Sequence, residues 1–190
     1  MTQERTLLRF ETRADFRNWL VENQDTASEA WLVFSKKGSG QTTVTYDEAL
    51  DVALEFGWID GQSRSLDERS YLQRFTPRRP RSPWSMRNRR LAELMIDEGR
   101  MSPRGLAEVE KARADGRWER AYEGRQNAEP HPDFLAALEA NPAAKAFYER
   151  LDGTNRFAIY YRIHQVKREE TRARKIAAIV EMLSRGETFH

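Results

Sequence analysis

The residues best suited to chemistry in this sequence are arginines crowded into one short segment. Residues 74–90 contain no acidic residue and seven arginines, at positions 74, 78, 79, 81, 87, 89 and 90. A guanidinium group binds phosphate or carboxylate through a planar fork of N–H donors. The segment therefore predicts a site for an anionic ligand, either a small phosphate or carboxylate molecule or a nucleic-acid backbone.

The segment also supplies hydroxyl groups and a helix start. Ser82-Pro83 is typical of a helix N-terminus, with serine as the N-cap and proline as the first helical residue. Such an end favours anions because its backbone N–H groups are unpaired and carry partial positive charge. We predict a binding site shared by the preceding strands and this helix start, formed by Arg64, Arg74, Thr76, Arg78, Arg79, Ser82, Ser85 and Asn88.

A structural role for the arginines is the alternative. Arg87 and Arg90 would lie near the start of the helix, where the helix dipole disfavours positive charge. They would then pair with Glu93, with Asp97 or with acidic residues nearer the C-terminus, as surface charges often do. Trp84 lies on the apolar stripe of the same helix, which favours burial in the core over stacking on a ligand.

Asp60 is the candidate for general acid or base catalysis. It lies in a predicted strand and precedes Gly61, which permits close approach of another backbone. Because side chains alternate along a strand, we expect Asp60 on the face that carries Trp58, Gln62 and Arg64.

This placement supports an enzyme hypothesis beside the binding one. The carboxylate would exchange a proton with the substrate, while Arg64, Arg74 or Arg78 would clamp the substrate's negative charge. The non-catalytic alternative is that Asp60 stabilises a turn or pairs with an arginine. From the sequence alone, it stays open whether the protein is an enzyme.

The overall charge of the chain conceals this basic segment. The 190 residues carry 32 basic and 30 acidic side chains, a net charge of +2 that excludes a polybasic protein. Without residues 74–90 the balance is 25 basic to 30 acidic, so the rest of the chain is mildly acidic. The absence of cysteine excludes disulfides and thiolate sites, and three histidines do not favour a histidine metal centre. We therefore predict neither a metal site nor a cofactor.

The elements that must position these residues change in type along the chain. Strands are predicted only in the first part, at 5–10, 29–36, 42–44, 57–65 and 69–77. Helices are predicted to begin after Thr12, Thr45, Ser82 and Ser102, and then to run at about 132–140, 142–151, 154–167 and 169–185. This order predicts an α+β domain at 1–100 and a helical domain at 101–190.

The apolar pattern bears on location and partners. No stretch approaches the roughly 18 apolar residues of a membrane span, and the first residues lack the apolar run of a signal peptide. We therefore expect a cytoplasmic protein without membrane insertion. The amphipathic helices of the tail favour a third function class, an interaction protein that binds a protein partner or forms a homodimer.

Several motifs, in their order, resemble one known family. They are Phe56-Gly57-Trp58-Ile59-Asp60-Gly61, Thr76-Pro77-Arg78-Arg79, Ser82-x-Trp84-Ser85-x-x-Asn88 and, in the tail, Lys167-x-x-Glu170-Thr171-Arg172-x-Arg174-Lys175-Ile176. Over nearly its whole length, the sequence resembles the YdeI/OmpD-associated (bacteriocin-protection) family.

This resemblance implies a fold and a biological role but no reaction. It implies a YjbR/CyaY-like (frataxin-like) N-terminal domain with an antiparallel sheet and helices, followed by an all-helical OmpD-associated domain. The family name implies a role in stress or bacteriocin tolerance and supplies no catalytic residues. Frataxin-type relatives bind iron through acidic residues of their first helix. Here that helix carries only Asp15 and Glu22, so the sequence does not favour iron binding.

Overall fold

The computed structural model describes residues 6–190, which contain a four-stranded sheet and eight helices. The contacts divide the chain into a first unit, Met1–Ala121, which holds the sheet, and a second unit, Tyr122–His190. The predicted α+β class is thereby confirmed. The division lies later than the predicted border at residue 100, because helix 103–114 and Trp118 pack into the first unit.

In the first unit, helices alternate with strands up to a hairpin, and two more helices follow it. In chain order the elements are β1 (Leu7–Leu8), α1 (Arg13–Asn23), β2 (Ala30–Ser35), α2 (Tyr46–Glu55), β3 (Trp58–Ser65), β4 (Ser70–Pro77), α3 (Met86–Asp97) and α4 (Pro103–Ala114). β1 is shorter than the predicted strand 5–10, whose first residue lies outside the described part of the chain.

The strand predicted at 42–44 is wrong. The Oγ1 of Thr43 accepts the backbone N–H of Ser35 at 2.9 Å, and the N–H of Val44 donates to the carbonyl oxygen of Phe10 at 2.9 Å. These isolated bonds hold the segment as a loop in front of α2, without a ladder of paired residues.

The strands form a mixed sheet in the order β1-β2-β4-β3. β4 runs antiparallel to both β3 and β2, whereas β1 runs parallel to β2. The expectation of an antiparallel sheet is therefore wrong at this edge. The physical reason is that α1 connects β1 to β2, and a helical crossover brings the chain back in the same direction.

Hydroxyl side chains begin the helices of this unit. Thr12 and Thr45 each cap a helix reciprocally with an acidic residue three positions later, so both predicted capping boxes are confirmed. The predicted start of α3 is wrong, because its N-cap is Ser85, whose Oγ accepts a first-turn N–H at 3.1 Å. Ser82 instead closes a turn, since its Oγ accepts the N–H of Arg79 at 3.0 Å.

Two apolar clusters fill the first unit, one on each side of α2. The first lies between the sheet and the helices α1 and α2, and includes Phe16, Leu32, Ala53, Trp58 and Phe75. The second lies between α2, α3 and α4, and includes Leu54, Trp84, Met95, Val109 and Trp118. Trp84 is only 1 % exposed, so its predicted place in the core is confirmed.

The second unit contains the four helices predicted for the tail. They are α5 (Pro132–Glu139), α6 (Pro142–Tyr148), α7 (Gly153–His164) and α8 (Glu169–Ser184). Their shared apolar core includes Phe134, Leu138, Ile159, Ile163, Ile179 and Leu183. Within residues 6–190, no helix has the length and apolar character needed to cross a membrane.

α4 begins in close contact with the end of α2. The N–H and the Oγ of Ser102 both donate to the backbone carbonyl of Glu55, at 3.1 and 2.7 Å. A Cβ atom added to Gly105, one turn later, would overlap with the same carbonyl oxygen. Glycine at this position therefore fixes how closely α4 approaches α2.

Replacing Gly105 by alanine should destabilise the first unit by about 1–3 kcal/mol, because α4 must move away from α2. Urea unfolding followed by tryptophan fluorescence measures this, since all five tryptophans precede Ala121. Gly61→Ala is the matched control, because a Cβ atom there meets nothing closer than 3.7 Å. Equal midpoints for the Gly105→Ala variant and the wild type would contradict this packing.

Candidate anion-binding site

The connection between β4 and α3 is organised around the buried side chain of Arg78. Its backbone N–H donates to the carbonyl oxygen of Gly57 at 3.0 Å, and its Nη1 donates to that of Pro83 at 3.2 Å. The guanidinium carbon lies 3.5 Å from the ring centroid of Trp84, a short cation–π contact. Only 6 % of Arg78 is exposed, so this side chain supports the connection from inside the fold.

Three further arginines of segment 74–90 have carboxylate partners in the first unit. The ion pairs are Arg74–Glu29, Arg87–Asp47 and Arg89–Glu93, with nitrogen–oxygen distances of 2.7, 2.6 and 2.9 Å. For these three residues the structure supports the alternative of a structural role. The partner of Arg87 differs from those considered in the sequence, because it lies on α2.

The remaining arginines of the segment, Arg79, Arg81 and Arg90, are exposed. Their side chains make neither a hydrogen bond nor an ion pair within residues 6–190. Arg79 and Arg81 belong to the turn that Ser82 closes, and a separation of two residues keeps their Cα atoms within about 7 Å. This turn, together with α3, therefore carries three positive charges that no carboxylate of the described chain neutralises.

The predicted hydroxyl and amide ligands form the framework of the same connection. The Oγ of Ser82 accepts from Arg79, and the carbonyl of Ser82 accepts from Nη1 of Arg117 at 2.9 Å. The Oγ of Ser85 accepts the N–H of Asn88, which is 7 % exposed. Both serine oxygens act as acceptors in these bonds, and neither O–H donates to another described residue. Each hydroxyl therefore retains a donor for an anion.

The sheet divides the other predicted site residues between its two faces. Asp60 pairs with Phe75, whereas Ser63 pairs with Gln73, so β3 has one residue more than β4 between these pairs. This β-bulge reverses the alternation, and Arg64 lies on the face opposite Asp60. The prediction that the two side chains share a face is therefore wrong.

Arg74 and Thr76 also lie on the face away from Asp60. They flank Phe75, whose ring packs against Phe16 of α1, with the ring centroids 5.7 Å apart, so their side chains point the other way. On that face the guanidinium carbon of Arg64 lies 5.4 Å from the ring centroid of Trp31. The strands therefore do not bring Arg64, Arg74 and Thr76 together with Asp60.

Asp60 has a tyrosine partner. The hydroxyl of Tyr46, the first residue of α2, donates to Oδ2 of Asp60 at 2.9 Å. Burial, and next the negative charge of Asp60, raises the pKa of Tyr46 above its ordinary value of 10.0. The phenol therefore stays protonated near neutral pH and holds the carboxylate in place. In the part of the chain that the structure describes, no three His, Asp or Glu side chains converge as metal ligands would.

A second cationic feature lies in the loop at 36–43, between β2 and α2. This loop and the start of α2 line a cavity of about 360 Å³. Lys36 donates to a backbone carbonyl at 2.6 Å, whereas Lys37 is exposed and its ammonium has no partner among the described residues. The signal that could have identified this loop is a lysine pair before Gly38 and Gly40, which both have positive φ.

Comparisons with known proteins give two family matches. Residues 8–108 match a family described as a domain of unknown function (DUF8412). Residues 127–186 match a family described as "Bacteriocin-protection, YdeI or OmpD-Associated", which supports the resemblance noted from the sequence. No curated protein and no solved structure matches the chain.

The cation–π contact of Arg78 predicts that lysine cannot replace it. Arg78→Lys should lower the free energy of unfolding of the first unit by about 2 kcal/mol, because an ammonium lacks the planar face and the fork of donors. Urea unfolding monitored by tryptophan fluorescence gives this value. The neighbouring exposed change Arg79→Lys is the control and should stay within about 0.5 kcal/mol of wild type. Equal effects at the two positions would contradict the structural role of Arg78.

The Tyr46–Asp60 hydrogen bond predicts a pH-dependent difference in stability. Because folding raises the pKa of Tyr46, its contribution is complete below pH 10 and is lost as the pH rises further. Tyr46→Phe should cost about 1 kcal/mol at pH 8, where Asp60 loses its donor, and less above pH 10. Unfolding free energies of both proteins at pH 8 and pH 11 test this. A difference that does not shrink between pH 8 and pH 11 would contradict a raised pKa of Tyr46 in the folded protein, and no difference at pH 8 would contradict a stabilising hydrogen bond.

Proposed function

The chain belongs to the family defined by the domain of unknown function DUF8412, and we propose from its own residues that its first unit binds an anion. The ligand is a phosphate- or carboxylate-bearing molecule, held by Arg79 and Arg81 with Arg90 in support. The proposal rests on the observation that the seven arginines of segment 74–90 fall into two groups, those with a partner in the described chain and those without one. Four have partners inside the unit, and these three have none among residues 6–190.

The two arginines of the turn are suited to the same ligand. They lie two residues apart on a turn whose backbone is fixed by Ser82, so little conformational freedom of the main chain is lost on binding. Their guanidinium groups have no competing carboxylate, so an incoming anion does not displace an existing partner. The O–H groups of Ser82 and Ser85 add neutral donors on the same connection.

The same surroundings favour contacts with phosphate or carboxylate groups over contacts with bases. Trp84 and Phe75, the aromatic residues of segment 74–90, are 1 % and 0 % exposed. Neither presents a ring on which an unpaired base could stack. If nucleic acid is the ligand, its backbone charges are therefore the groups that this segment would contact.

The other predicted functions receive less support. An enzyme that uses Asp60 with an arginine clamp needs Arg64, Arg74 or Arg78 beside the carboxylate. Arg64 and Arg74 lie on the opposite face of the sheet, and Arg78 is buried against Trp84. A partner surface on the tail needs exposed apolar side chains, and Leu135 is the large one exposed among the described residues 132–185. Stress tolerance, a cytoplasmic location and the frataxin-like assignment of the first unit stay predictions.

Removing the two unpaired arginines should weaken anion binding and its dependence on salt. The double variant Arg79→Ala/Arg81→Ala is compared with wild type by fluorescence anisotropy on a labelled DNA duplex between 50 and 200 mM salt. The plot of log affinity against log salt has a negative slope, and each lost phosphate contact should make it less steep by about 0.9. Two lost contacts should therefore reduce its steepness by about 1.8. Competition with inorganic pyrophosphate shows whether a small phosphate occupies the same site.

The matched control is the double variant Arg69→Ala/Arg174→Ala. It removes the same charge from two exposed arginines whose side chains have no partner in the described chain. We expect this control to bind the duplex and pyrophosphate within about twofold of wild type. Equal losses in both double variants, or no binding of either probe by the wild type, would overturn the proposal.

A further inference from the structure

The second unit contains a cavity that the proposed function does not use. Its volume is about 310 Å³, and its walls come from the segment before α5, from the end of α6 and from the start of α7. Two arginines, Arg125 and Arg156, and three aromatic residues, Tyr148, Phe157 and Tyr160, supply most of its chemistry. The volume lies at the lower end of the range of about 300–1,000 Å³ typical of ligand sites, which suits a small molecule.

The charged groups that line this cavity are all positive. No Asp or Glu is among its lining residues. Nη2 of Arg156 donates to the backbone carbonyl of Glu149 at 2.6 Å, and the guanidinium carbon lies 5.5 Å from the ring centroid of Tyr148, so neither contact pairs the arginine with a carboxylate. Arg125 forms no ion pair among the described residues. The carboxylate of Asp152 accepts the N–H of Asn155 at 2.8 Å as the N-cap of α7, and this bond, with a smaller contribution from the charge of Arg125, lowers the pKa of Asp152. An anion would therefore find two guanidinium groups at one cavity.

The aromatic walls are held in place by the fold. Tyr148 packs edge-on against the fully buried ring of Phe134, with the ring centroids 5.3 Å apart. The hydroxyl of Tyr160 accepts the backbone N–H of Glu123 at 2.9 Å, and its ring lies 5.8 Å from that of Phe157. All three lining rings are partly exposed, so they offer surface to a ligand without needing to rearrange.

Rings and guanidinium groups select complementary parts of one ligand. Aromatic rings contact a flat apolar group through offset or edge-on packing, and arginine binds a carboxylate or phosphate through its fork of donors. We propose that this cavity binds a small aromatic anion, with its ring among Tyr148, Phe157 and Tyr160 and its acidic group at Arg125 and Arg156. The site lies wholly in the second unit, so it is independent of the site proposed at Arg79 and Arg81.

Calorimetric titration with four probes tests the need for both features, and it uses the full-length variant Arg79→Ala/Arg81→Ala so that the anion site proposed in the first unit does not contribute. Adenosine monophosphate and benzoate each combine a ring with an acidic group, whereas adenosine lacks the anion and inorganic phosphate lacks the ring. At least one aromatic anion should bind about tenfold or more tightly than adenosine and inorganic phosphate. The relative affinities of adenosine monophosphate and benzoate show which of these two aromatic anions the cavity prefers.

Two double variants identify the cavity as the place of binding. Arg125→Gln/Arg156→Gln should weaken the aromatic anion about tenfold or more, because two charge-assisted contacts are lost. Arg150→Gln/Arg174→Gln is the control in the same unit. Like Arg156, Arg150 is exposed, donates to a backbone carbonyl and lies over an aromatic ring. This control should bind within about twofold of wild type.

Three results would overturn the proposal. They are the absence of binding by both aromatic anions at millimolar concentration, equal binding of inorganic phosphate, and equal losses in the two double variants. Circular dichroism of each variant confirms that the helices of the second unit remain folded. The variant Arg79→Ala/Arg81→Ala should bind the aromatic anion as the wild type does, which separates this site from the one in the first unit.

Discussion

The contact between Arg78 and Trp84 is the interaction on which the anion site of the first unit depends. Burial removes a guanidinium from water, and the indole face of Trp84 and the carbonyl of Pro83 are two of the contacts that offset this cost for Arg78. Trp84 in turn meets Trp118 edge-on, with the ring centroids 4.8 Å apart. The connection between β4 and α3 is thereby anchored to the core, and its exposed turn carries Arg79 beside the buried arginine.

Arginines that are neighbours in the sequence therefore have opposite roles. Their side chains differ in burial and in whether a carboxylate on α2, on α3 or before β2 lies close enough to form an ion pair. The ion pairs fix the segment against the rest of the unit, and the unpaired residues retain the charge that a ligand can use. A net charge of +2 for the chain conceals this division, because acidic residues elsewhere balance the segment. Function in such a protein depends on the local charge that remains after internal pairing.

Features of the fold that depend on nearby residues could be predicted from the sequence. The capping boxes at Thr12 and Thr45 involve residues three positions apart, so the sequence itself contains both partners. The β-bulge after Asp60 depends on the partner strand, and no residue of β3 alone indicates it. The N-cap is Ser85 in place of Ser82, and Trp84 is buried in the segment before the helix begins, a tertiary contact that the local serine-proline pattern does not show. The pairing of Arg87 joins residues 40 positions apart, which local patterns do not show.

The position of a bound anion tests the central claim most directly. The Nε–Hε groups of arginine give separate signals in ¹H–¹⁵N correlation spectra, and single Arg→Lys variants assign them. Titration with inorganic pyrophosphate should shift the signals of Arg79, Arg81 and Arg90 with one common dissociation constant, and leave those of Arg74 and Arg89 nearly unchanged. Shifts confined to other arginines, or no saturable shift at Arg79 and Arg81, would contradict the account.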